Sequence, residues 1–81
     1  MTRDEAQGAF VQLLLEKVRQ DRYPSWTQMS LIEESIPPAM IPDYLAVLVE
    51  KAAGDTYPSI PMLRRIQRVA QSLPRQEQDR D

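Results

Sequence analysis

The chain has no cysteine, no histidine and no asparagine, and only two glycines and one phenylalanine in 81 residues. Without cysteine there is no disulfide to staple so small a domain and no thiolate metal site. Without histidine the commonest general base, the commonest zinc ligand and the usual switch near neutral pH are missing. The serines (Ser25, Ser30, Ser35, Ser59, Ser72) therefore have no imidazole to activate them, and no G-x-S-x-G elbow is present. Two glycines make no phosphate-cradling loop. These absences point away from an enzyme, from a cofactor and from a small-molecule ligand.

Long apolar runs are missing too. The opening MTRDEAQGAF has no basic segment followed by an apolar stretch, so neither a secretory signal nor a membrane span is expected, and the reading is cytoplasmic. Arginine outnumbers lysine eight to two. That skew is read as the codon signature of a GC-rich bacterial genome.

The charge that is present is small in sum and uneven in place. The net charge is −2, too little to steer the whole chain toward a polyanion. Residues 31–55 carry five acids (Glu33, Glu34, Asp43, Glu50, Asp55) against Lys51, whereas residues 60–75 carry Arg64, Arg65, Arg68 and Arg75 with no acid. The acids lack the spacing of a calcium loop or of an E-x-x-H metal motif, so they are read as a solvated face rather than a metal site.

Four helices are expected. Thr2 and Glu5 form a capping box for the first, which runs to about Gln20 with Phe10, Leu14 and Val18 as its core stripe, widened by Val11 and Leu15. Pro24 ends it, since proline pushes Tyr23 out of the helical region. Ser25 caps the second helix with Gln28 as its reciprocal partner, placing Trp26, Met29, Ile32 and Ile36 on one face and Leu31 on the opposite one. Pro37-Pro38 ends that helix. Pro42 suits the first turn of a third helix that faces the core with Ile41, Leu45, Leu48, Val49 and Ala52, ends at Ala53 and has Gly54 as its C′ residue, leaving Val47 off the stripe. Ser59 caps the fourth, with Pro61 in its first turn. Met62, Leu63, Ile66, Val69, Ala70 and Leu73 lie inward, the arginines outward, and Pro74 ends it. The tail, residues 75–81, has no apolar anchor and is expected to be disordered.

Shifting the chain by 34 residues lays 13–34 on 47–68 with eight identities in 22 positions, among them Asp21/Asp55, Tyr23/Tyr57, Pro24/Pro58 and Ser25/Ser59. Each unit reads helix, D-x-Y-P-S corner, helix. Proline breaks one helix, serine caps the next, and the tyrosine ring is expected to pack into the angle between them, with its hydroxyl at the surface near the aspartate. The recurring Glu16-Lys17 and Glu50-Lys51 pairs are expected to make ordinary surface ion pairs. The 34-residue period is that of tetratricopeptide repeats, but the small and aromatic signature positions of that family are missing.

The fold expected is thus an all-α, compact four-helix domain over residues 1–74, built from two similar hairpins at about 3–36 and 39–73 that complete one core. The function expected is a non-enzymatic protein–protein interaction module, self-associating or with a heterologous protein. Its candidate contact residues are Leu31, Trp26, Arg64, Arg65 and Arg68, and Tyr23, Pro24, Ser25, Tyr57, Pro58 and Ser59 serve as structural corners. The alternative is a nucleic-acid-associated regulator that uses the arginines on the outer face of the last helix.

Overall fold

The reciprocal bonds expected at the N-terminus are made. Glu5 N donates to Thr2 Oγ1 at 3.1 Å and Thr2 N to Glu5 Oε1 at 3.0 Å, so two of the free amides at the start of the first helix are satisfied. The computed structural model of the chain describes residues 1–73; Pro74 and the tail 75–81 lie outside the described residues. The elements are α1 (Arg3–Gln20), α2 (Trp26–Ser35), a single 3-10 turn at Pro38–Met40, α3 (Ile41–Ala53) and α4 (Ile60–Gln71). The described residues are all-helical, with no strand.

The prolines and serines act locally as their chemistry demands. Pro38, Pro42 and Pro61 occupy first-turn positions, where no helical amide bond is lost. Ser25 Oγ accepts from Gln28 N and Ser59 Oγ from Met62 N, each at 3.2 Å. Three local expectations need correction. Gln28 does not return the bond to Ser25; its Oε1 is buried without a partner among the described residues. Gly54 follows α3 at φ −76°, so the left-handed cap is not used. And α4 stops at Gln71, because Ser72 turns both its N–H and its Oγ onto Val69 O and closes the last turn early.

Helix α1 packs on α2, α3 on α4, and α1 also lies against α3. The Cα atoms span 16 Å in the thinnest direction, about two helix layers. The core comprises Val11, Leu14, Leu15 and Val18 of α1, Met29 and Ile32 of α2, Tyr44, Val47, Leu48 and Ala52 of α3, and Val69 of α4.

That core is rolled relative to the stripes read from sequence. Because α1 has neighbours on two sides, its buried arc is centred on Val11 and Val18, and Phe10 is left exposed at the edge. In α3 the inward face is Tyr44, Val47, Leu48 and Ala52; Val47 is 2 % exposed and Val49 47 %, the reverse of expectation. The phenol of Tyr44 explains the roll, since it finds partners inside the fold and so the ring can be buried. On α4, Leu63 and Ala70 are exposed and Met62 and Ile66 half-buried, as is Leu73 beyond its end. Positions aligned by the 34-residue shift consequently differ in burial: Leu13 is exposed and Val47 buried, Met29 buried and Leu63 exposed.

Gly8 lies inside α1, and a Cβ built there meets no atom within 4 Å. A helix-interior glycine costs roughly 0.5–1 kcal/mol relative to alanine. Gly8→Ala is therefore expected to raise the unfolding free energy by about that amount in urea titration, with no change in far-UV circular dichroism.

Candidate interaction site

Arg65 sits in the middle of α4, on the side that faces α2. Expected on the outer face, it is in fact buried, at 8 % exposure. Its Nη1 donates to Glu33 Oε2 of α2, and Arg68 Nη2, one turn on, donates to Glu33 Oε1 at 3.1 Å. Tyr44 of α3 completes the cluster: its hydroxyl donates to Glu33 Oε2 at 2.5 Å and lies 3.3 Å from Met29 O. Glu33 thus belongs to no solvated acidic face. A buried guanidinium demands a carboxylate, and Glu33 is the one within reach of it.

The protonation states follow from this geometry. Burial pushes the Glu33 carboxyl up, but the bonds from Tyr44, Arg65 and Arg68 and the charge of Arg65 outweigh it and hold the group below its ordinary value of 4.5. Burial first, then the bond to Glu33 and its charge, raises the Tyr44 phenol well above its ordinary range, so it remains a donor. The guanidinium carbon of Arg65 also lies 4.9 Å from the ring centroid of Trp26, a cation–π contact that holds the half-exposed indole in place.

Trp26 forms one wall of a 410 Å³ cleft between the two D-x-Y-P-S corners. Tyr23 and Pro24 line it from the first corner, Asp55, Thr56, Tyr57 and Ser59 from the second, with Met29 and Met62 between them. Lys51, also part of the lining, ties the end of α1 to α3. Lys51 Nζ of α3 donates to Arg19 O and Asp21 O at 2.6 and 2.7 Å, and so satisfies carbonyls at the end of α1 with a positive charge suited to that end of the dipole. No ion pair of Glu16 or Glu50 occurs among the described residues, where the ion pairs are those of Glu33. The tyrosines do not pack into the helix angles. Tyr23 is 75 % and Tyr57 91 % exposed, both at the mouth of the cleft, with the Arg22 guanidinium 5.6 Å from the Tyr23 ring centroid.

The structure therefore brings Trp26, Tyr23, Pro24, Tyr57 and Ser59 to one cleft and places Arg65 behind it. Leu31 is exposed as expected, yet neither it nor Arg64 lines the cleft. Ser25 caps α2 and Pro58 lies half-buried in the second corner. Sequence reasoning missed Glu33, Tyr44 and Lys51 as partners that join the helices, because each meets its partner only across the fold, 11 to 32 residues away in the chain. Among the described residues no group of acids is placed to hold a metal ion, and no helix is long and apolar enough to cross a membrane. No family model, curated protein or solved structure matches this chain.

Glu33→Gln removes the charge that compensates Arg65. Since the carboxyl retains partial solvent contact, a loss of about 1–3 kcal/mol at neutral pH is expected. A carboxyl depressed in the fold stabilises fully above its unfolded value and loses that contribution as pH falls through the folded one. Wild-type stability should thus decline below about pH 4.5, and the variant should decline less steeply, as measured by urea titration across that range.

Proposed function

We propose that the protein is a non-enzymatic, cytoplasmic interaction module that receives an extended segment of a partner protein in the cleft between its two corners. The observation that carries this reading is the exposure of Tyr23 and Tyr57 on either side of the cleft. Proline and serine suffice to break one helix and cap the next; a tyrosine ring left in water adds nothing to either task. Two such rings beside a tryptophan that an arginine steadies are the residue types that dominate binding energy at protein interfaces. On this reading the 34-residue recurrence is a docking element written twice, one copy in each hairpin, and the differing burial of the aligned helices reflects the different neighbours each copy has found.

The alternative, phosphate contact through Arg64, Arg65 and Arg68, draws less support from the geometry. Arg65 is buried and both Arg65 and Arg68 are spent on Glu33, which leaves Arg64 as the uncommitted member. One uncommitted arginine of the three, on an acidic chain, supplies little of the electrostatic attraction that nucleic-acid binding requires.

The test is affinity capture from the native host with and without nuclease, comparing the wild type with the Tyr23→Ala/Tyr57→Ala variant. Both tyrosines are exposed, so the variant should keep its circular dichroism and denaturation midpoint. A discrete protein is expected to be retained irrespective of nuclease and to fall at least about tenfold in the variant, the scale of hot-spot truncation. Retention indifferent to the tyrosines, or abolished by nuclease, would overturn the reading. The sole tryptophan, Trp26, offers a second readout: its fluorescence should shift when the captured segment is titrated as a peptide.

A further inference from the structure

We propose that the outer face of the α3–α4 hairpin is a self-association surface, on which a second copy of this chain docks with α3 over the partner's α4. On α3, Ala46, Val49 and Ala53 are all exposed at spacings of three and four, a stripe along one side of the helix. On α4, Ile60 and Leu63 are exposed one turn apart. Neither set is used by the core, and neither lines the corner cleft.

The occupant is argued from charge. The exposed charges on α3 are Asp43 and Glu50, seven residues apart and so on one edge; its lysine, Lys51, is turned away to the end of α1. Helix α4 holds no acid, and its exposed charges are Arg64 and Arg68, the latter with 63 % of its side chain open although it touches Glu33. The hairpin is thus acidic along one helix, basic along the other and apolar between. A two-fold axis parallel to the helices lays each acidic edge on the basic edge of the other copy and seats the apolar stripes together. The perpendicular axis would set like on like. The surface fits a second copy of itself in one orientation. Two helices wide and about 20 Å long, the face buries on the order of 400 Å² per copy, below the ~800 Å² of a standard interface. The dimer is accordingly a weak one that populates with concentration.

Sedimentation equilibrium on the full chain, from micromolar to near-millimolar, decides the matter. A reversible monomer–dimer equilibrium is expected. Leu63→Glu should leave monomer throughout. Arg64→Glu should weaken the dimer about tenfold through two symmetry-related pairs, and adding Glu50→Arg should restore it, because the swap reverses both members of each pair. Tyr57→Ala should leave association unchanged, which separates this surface from the cleft. A strict monomer over the whole range, a dimer indifferent to Leu63→Glu, or a double swap as weak as the single would each overturn the proposal. Should Leu63→Glu fail to fold, the charge swap at two exposed positions still decides it.

Discussion

The buried guanidinium of Arg65 is the constraint on which the rest of the arrangement depends. Helices α2 and α4 do not pack along their backbones; the polar links between them are Arg65 on Glu33 and over Trp26 and Arg68 on Glu33, with Tyr44 of α3 reaching the same carboxylate. Taking a charge out of water is costly, and such a pair seldom adds much net stability compared with apolar residues. Its effect is selective. Rolling α4 by one position along its stripe would leave an uncompensated charge inside. The cluster fixes which face of α4 turns inward, and with that which apolar residues of α4 remain outside.

A domain of this size has little apolar area with which to absorb errors. The contacts that bring distant parts of the chain together are therefore few and specific. Lys51 reaches from α3 to the last carbonyls of α1. Serine caps open α2 and α4, and prolines sit only where no helical bond is lost. Lys51 lines the corner cleft and Arg65 lies against its Trp26 wall, so groups that align the hairpins also shape it.

Surface left over from folding is where the functional reading lies. In each corner the serine and proline serve the backbone, while the tyrosine faces water beside a half-exposed tryptophan. On the far side of α3 and α4 an apolar strip is flanked by opposite charges. The two surfaces share no lining residue, so the two proposed roles, docking of a partner segment and self-association, are separable.

Helix number, helix starts and the Thr2, Ser25 and Ser59 caps were legible in the sequence, because proline, serine and the capping box act within four residues of chain and need no tertiary partner; the return bond of Gln28, the Gly54 cap and the end of α4 were not. So was the exposure of Leu31. The inward face of each helix was legible only in part. Apolar stripes on α1 and α3 are broad enough to be turned without visible penalty, so Phe10 read as a core residue beside Val11, and Val49 in place of Val47. The tertiary structure settled that choice through groups whose sequence signal is ambiguous: a glutamate and an arginine, both read as surface, and a tyrosine, Tyr44, assigned to no face. Local rules determined where the helices begin and end. The need to pair a buried charge, which exists only once three helices meet, decided how they face one another.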